Sequence, residues 1–457
     1  MDIFDLLLPP IYLVIILFIA YKYKRKHQHK HDAYRYFLPG LIAKIAGAIA
    51  LGLIYFFYYK GGDTTNYHFT ANALINVLFD NPGDFVYVYF GSPHVSEFYL
   101  MNSRGDFTFW VNDEYAYFVS KCFVPVVLFA GKSYMASAVI IASICYVAVW
   151  KMYMIFVTEF PNIYKQLAFP ILFIPSVIFW GSGILKDSIT FSATCLYVHG
   201  FYWFIIKKNF RFNYVISVIF ASYLLLSIKP YILFALLPGS IVWFVALRVN
   251  KINNGFIKVM IAPFIIVVGV GIGGFAMQKL SAELGQYSLD KVLNTASEAQ
   301  QDLKQSYYGG NTFDIGDYEP TIEGVLSVSH KAIFAALFRP TILDVRNIVM
   351  FISALENTFI LLFCIFLLIK LKIFGFFRLI KSHPLVLFSF LFSLFFAFSV
   401  GVSISNFGTL VRLKIPCIPF FMASLVIVNS MLNAEKEKKF KIAPKKVSIP
   451  SYAKQHI

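Results

Sequence analysis

Long, nearly uncharged apolar runs alternate with short basic segments along most of the chain. Apolar runs of about 16 to 25 residues are the mark of helices that cross a bilayer. They predict spans near 7–22, 38–58, 134–156, 167–183, 189–206, 213–228, 231–247, 257–275, 347–370, 385–403 and 415–432, eleven in all. A further stretch, 115–131, is interrupted by Pro125 and bracketed by Lys121 and Lys132. It predicts a helix that lies on the outer face or dips into it. The expected fold is all-α: one polytopic transmembrane helix bundle over 1–457, with amphipathic helices outside it. Two long segments separate the spans, 59–133 and 276–346. Within the second, Ile322, Val325, Leu326, Ser329, Ile333, Phe334 and Leu337 recur at helical spacing, as in a helix lying along a leaflet.

Charge sorts the loops into two sets. Asp2 and Asp5 precede the first span, and Lys22, Lys24, Arg25 and Lys26 follow it. That polarity is the reverse of a secretory signal, so the segment reads as an anchor with its N-terminus outside. Alternation then assigns 21–36, 157–166, 207–212, 248–258, 370–383 and the tail 433–457 to the cytoplasm. These segments hold 24 of the 40 Lys and Arg residues but only 4 of the 24 acids. The cytoplasmic side is thus +20 and the remainder −4, as the positive-inside rule requires. The tail is basic, suited to anionic lipid.

Composition sharpens the class. Hydrophobic residues are 58% of the 457 and charged residues 14%, against about 25% charged in soluble domains. The net charge of +16 is explained by topology, and no basic stripe with interleaved aromatics occurs, so nucleic acid is excluded as a partner. Five cysteines show no paired spacing, which argues against a disulfide framework or a metal knuckle. Gly269-x-Gly271-x-x-Gly274 matches a dinucleotide fingerprint as text but lies inside a predicted span, where close helix packing explains it. Lys44 and His199 fall near cytoplasmic span ends and are expected to snorkel.

Four clusters lie where chemistry can occur. Lys60-Gly61-Gly62-Asp63-Thr64-Thr65-Asn66-Tyr67-His68 begins as the second span leaves the membrane. Asp63 there fits a general base for an acceptor hydroxyl, or a cation ligand, beside the Tyr67–His68 pair; it also fits a helix N-cap. Next, Pro175-Ser176-x-x-Phe179-Trp180-Gly181-Ser182-Gly183-x-x-Lys186-Asp187 puts a charged pair between two spans. It reads either as a functional pair or as a tight hairpin with Lys186 snorkelling. Third, Arg412 and Lys414 precede the last span on the outer side, against the usual bias. They fit a pyrophosphate grip or interfacial anchoring. Arg339 and Arg346 join them just before the ninth span, and Glu356 lies inside it. A buried acid needs a partner, for which Arg346 or Arg412 is expected.

The early Asp63 and the late Arg412-x-x-x-Pro416-x-x-Pro419 resemble the membrane glycosyltransferases of the GT-C superfamily. The Gly-Gly-Asp-x-x-x-Tyr start is also similar to bacterial O-antigen and exopolysaccharide polymerases, including the EpsG-like group, as is the Pro-Ser-x-x-Phe-Trp signature. The resemblance implies an enzyme of the bacterial plasma membrane that transfers sugar from a polyprenyl-(di)phosphate to a glycan acceptor at the outer face. It assigns Asp63 as general base. Tyr67, His68, Lys186, Asp187, Arg339, Arg346, Glu356, Arg412 and Lys414 are the substrate-binding set, with the cations on the lipid phosphate. Many GT-C enzymes carry an acidic pair, yet no acid lies within ten residues of Asp63; that departure counts against metal-dependent chemistry and leaves a divalent cation as the one possible cofactor. A transporter or flippase of lipid-linked saccharides is the alternative. The enzyme reading predicts that Asp63, Lys186, Arg339 and Arg412 line one outward-facing cavity.

Overall fold

A computed structural model describes residues 3–91, 110, 113–249, 291–305, 311–346 and 348–442. The predicted span 257–275, with its three glycines, lies outside these residues, as do parts of both long loops and the end of the tail. The described chain is helical throughout, in the order α1 Phe4–His27, α2 Phe37–Leu53, α3 Asp63–Asp80, α4 Pro82–Phe90, α5 Glu114–Phe129, α6 Tyr134–Glu159, α7 Tyr164–Leu172, α8 Pro175–Trp180 and α9 Lys186–Phe201. It continues with α10 Phe212–Ile228, α11 Pro230–Val249, α12 Val292–Asp302, α13 Ile322–Ser327, α14 Ser329–Phe338, α15 Ile348–Ser382, α16 Pro384–Ser403, α17 Phe407–Leu413 and α18 Ile418–Ile442. Proline opens α4, α8, α11 and α16, where its missing N–H costs no helical bond.

Among the described residues, eight helices are long and apolar enough to cross a membrane. The chain is a multi-pass membrane protein by that measure. Several expected spans are altered. Residues 167–183 do not form one helix: α7 and α8 are short pieces, separated where Phe173 and Ile174 leave helical geometry ahead of Pro175. The residue before a proline is pushed toward extended backbone, and Ile174 sits at φ −68°, ψ 122°. Residues 213–228 give a 17-residue helix, and 115–131 the 16-residue α5. Lys44 does not snorkel. It is 4% exposed, with its ammonium 5.2 Å from the Phe191 ring centroid. His199 is part-buried: its ring lies 5.6 Å from that of Tyr214, and its buried Nδ1 has no hydrogen-bond partner among the described residues.

The bundle has two chemically different ends. At one, Asp5 accepts hydrogen bonds from Ser133 Oγ (2.8 Å) and Met135 N (3.2 Å), so α1 and α6 begin together. Thr64 and Tyr134 share a 2.6 Å hydroxyl hydrogen bond, which brings the start of α3 to the same end. At the other, Glu159 meets Lys207 at 2.8 Å and His383 at 3.4 Å, and Tyr164 donates to Asp32 at 3.4 Å. Arg378 pairs with Glu435 nearby in sequence to His383. Segments 21–36, 157–166, 207–212 and 370–383, all assigned to one side by charge, thus meet at the Glu159 end.

Close backbone approaches hold the broken segment in place. A Cβ on Gly47 would lie 2.4 Å from the Ile178 carbonyl oxygen, so α2 and α8 touch backbone to side-chain-free backbone. Gly183 combines φ +76° with a Cβ position 3.2 Å from Leu51, a conformation and a space that suit glycine alone. The loop 181–185 is thereby pinned to α2 and delivers α9 with a set starting point.

Candidate functional site

Four helices present charge to one another at the Asp5 end. Asp63 opens α3, Lys186 and Asp187 open α9, Lys229 immediately precedes α11, and Arg412 lies in the last turn of α17. Arg412 joins the set. Its Nε donates to Asp187 Oδ2 at 2.5 Å and its Nη1 donates to Asp63 Oδ2 at 2.5 Å. Lys229 Nζ donates to the remaining Asp187 oxygen, Oδ1. The Asp187 and Lys229 side chains are 4% and 5% exposed, whereas Asp63 is 35% exposed. Burial works against the charge on Arg412, but Asp187 and Asp63 outweigh it and hold its pKa well above the ordinary guanidinium value.

Local sequence explains the placement. Gly61 and Gly62 adopt φ +132° and +133°, open only to glycine, and turn the chain sharply from the end of α2 into α3. Asp63 is therefore not the N-cap. That position is Gly62, and Thr65 Oγ1 supplies the capping contact by accepting from Gly62 N–H at 3.0 Å. The carboxylate is left free to reach Arg412. Lys186 is equally not a snorkelling hairpin lysine. It is part-buried, near Lys229, Arg412, Asp187 and Asp63, with no ion pair among the described residues.

The charges do not cancel. Two carboxylates face three cations, and the N-termini of α3 and α9, which favour anions, begin here too. In or beside the cluster, three buried polar atoms have no hydrogen-bond partner among the described residues: Arg412 Nη2, Tyr67 Oη and Ser188 Oγ. Tyr67 lies one turn beyond Asp63 and stacks on Trp110 at 4.9 Å. Burial, then the nearby Asp63, raise its pKa well above 10, so its hydroxyl keeps its proton and remains a donor. A buried polar group without a partner is costly, and these three belong to the cluster or to residues next to it.

The remaining sequence candidates fall elsewhere. His68 points to α6: its ring lies 5.3 Å from Tyr134 and its Nδ1 is 3.3 Å from Asn72 Nδ2. Burial lowers its pKa to about 4. Lys414 is 1% exposed and donates to Asn357 Oδ1 at 2.7 Å and to the Arg339 carbonyl at 3.0 Å. Burial, against the pull of Glu356, brings it down to about 8. Arg339 is paired with Asp344 at 2.5 Å and lies over the Phe313 and Phe407 rings. Arg346 is exposed, near the start of α15. Glu356 corrects an expectation: its carboxylate takes neither Arg346 nor Arg412 but accepts from Ser176 N at 2.9 Å and Ser176 Oγ at 2.6 Å. Arg412 is already committed to two other carboxylates.

Arg339 lines a 430 Å³ cavity with Asp314, Ile315, His330, Lys331, Phe334 and Ala335, and Asp63, Lys186 and Arg412 do not line it. Sequence reasoning missed Lys229. The signal was present, because Lys229 lies between the sixth and seventh predicted spans and so breaks the same charge rule that singled out Arg412. Tyr55 and Tyr231, whose rings also come close to the cluster, carried no such signal.

For a metal ion the donor set is thin. No group of three His, Cys, Asp or Glu side chains is placed to hold one among the described residues, and Asp63 and Asp187 are bridged by a guanidinium. No protein-family model, curated protein or solved structure matches the chain.

Proposed function

We propose that the chain is a membrane glycosyltransferase or polysaccharide polymerase of the bacterial plasma membrane, using a polyprenyl-(di)phosphate-linked sugar at the outer face. The observation that supports it is Asp63: a part-exposed carboxylate held against Arg412 inside a cluster with surplus positive charge. Its resemblance to GT-C and EpsG-like proteins rests on the same residues. Asp63 takes the proton of the acceptor hydroxyl as that oxygen bonds to the anomeric carbon. The bond from carbon to the phosphate oxygen breaks, and its electron pair leaves on the phosphate. Arg412 and Lys186 are the groups that stabilise this growing charge, in a site where fixed dipoles act more strongly than in water.

A transporter of the same lipid-linked saccharides keeps one observation in its favour: the break between α7 and α8, with the buried Lys44 ammonium beside Gly181. Interrupted helices are common at transport sites. The two readings separate by product. Asp63→Asn and Arg412→Ala are expected to abolish glycan or polymer formation, by at least about 100-fold as for other lost acid–base and charge-stabilising groups, while the protein still inserts. Wild-type product from either variant at equal expression sinks the enzyme reading, and unchanged lipid translocation without any sugar transfer by the native protein favours the transporter.

A further inference from the structure

Resting on the glycosyl-transfer reading, we propose that Asp63 is a latch on Arg412 that an incoming phosphate group displaces, so that donor binding and release of the base are one event. Arg412 holds two carboxylates of unequal standing. Asp187 is 4% exposed, sits on Nε, and is held a second time by Lys229. Asp63 is 35% exposed, and among the described residues its carboxylate has one hydrogen-bond partner, Arg412 Nη1. Asp187 is the fixed support; Asp63 is the exchangeable one.

Guanidinium geometry sets what can replace it. With Nε committed to Asp187, the edge formed by Nη1 and Nη2 faces away from that support. Asp63 occupies only Nη1, and Nη2 has no partner. A phosphate monoester or diphosphate oxygen pair spans both nitrogens, which one carboxylate oxygen cannot. Lys186, which has no ion pair among the described residues, and the Tyr67 hydroxyl lie close enough to Arg412 to add charge and a donor. The exchange trades one anion for another of equal or greater charge, so Arg412 keeps two anionic partners throughout.

The consequence is a repositioned base. While the latch is closed, Asp63 Oδ2 is held on Arg412 and only Oδ1 is left to meet an acceptor. Once phosphate holds Arg412, the carboxylate is free and adjacent to the reacting centre. Apparent affinity for the anion is reduced by the fraction of molecules with the latch closed.

The test is equilibrium binding to the purified full-length protein in detergent, with a short-chain isoprenyl monophosphate and, separately, inorganic pyrophosphate. Asp63→Asn is expected to bind the isoprenyl phosphate about 10-fold more tightly than wild type, as removal of a conformational tax predicts, although it has lost turnover. Asp63→Glu, which retains the carboxylate, is expected to stay near wild type. Asp317→Asn removes an exposed acid that does not touch Arg412 and is expected to change nothing, and the Asp63→Asn gain should survive 0.5 M salt, where a general field effect is screened to about 4 Å. Arg412→Lys, gentler on folding than alanine, is expected to lose binding at least tenfold. Equal gains in Asp317→Asn and Asp63→Asn, or no gain in a folded Asp63→Asn, overturn the latch while wild-type binding leaves the phosphate site standing. No binding to either probe by any folded variant overturns both. Tightening for pyrophosphate equal to that for the isoprenyl phosphate identifies a free-phosphate site and overturns the lipid-linked donor.

Discussion

Arg412 shows how one side chain can organise a site that it also serves. It satisfies Asp187 and Asp63 at once, and Lys229 completes Asp187 from a fourth element. Removing one member of a buried charge pair leaves the other uncompensated. Lys229→Met is therefore expected to destabilise the protein by about 3 kcal/mol, the lower end of the range for such losses because Arg412 remains. Thermal unfolding in detergent checks this, and a midpoint equal to wild type would show that Arg412 alone neutralises Asp187. His68 offers a pH test. Burial holds its pKa at about 4 in the folded state, against 6.5 for an unperturbed histidine. Between those values the unfolded chain binds the extra proton, so stability is full above about 6.5 and falls as the pH drops toward 4. His68→Gln is expected to flatten that part of the curve; equal acid sensitivity in both proteins would count against a buried neutral His68.

Elements place these residues through contacts that leave no room for side chains. The loop that launches α9 rests on α2 at Gly183, and α8 rests on it at Gly47. Overpacking either contact moves the start of α9, and with it Lys186 and Asp187. Gly47→Val is expected to cost about 1–3 kcal/mol and to reduce activity, although the residue is remote from Asp63. Measuring both quantities matters: normal activity at reduced stability would mean that α9 holds its position independently of α8. The broken stretch 164–180 was not legible as a break, because its apolar run is continuous. Pro175 marks a kink or a boundary equally well, and only the packing of Phe173 and Ile174 against their neighbours decided which.

At the scale of the whole molecule, the two ends differ in charge and in contents. The Glu159 end gathers the basic connecting segments, and the Asp5 end gathers Asp63, Asp187, Lys229 and Arg412. If the Glu159 end is cytoplasmic, a thiol reagent that cannot cross membranes is expected to label Ser327→Cys in intact cells of a cysteine-free variant. Ser382→Cys is expected to react only after permeabilisation. The reverse pattern would invert the topology and place the site inside the cell. Both positions are exposed, Ser327 at the end of α13 and Ser382 at the end of α15.

By itself the amino-acid sequence determined the helical, membrane-spanning class and the sorting of loops into two sets. Hydropathy and charge bias act residue by residue and need no knowledge of neighbours in space. It also singled out Asp63, Asp187, Lys186 and Arg412 as charges out of place. Their mutual pairing, the separation of Lys414, Arg339 and His68 into other surroundings, and the entry of Lys229 were decided only by tertiary structure. A guanidinium chooses among carboxylates by distance and burial. Asp63 and Arg412 lie 349 residues apart along the chain, and 2.5 Å apart in the fold.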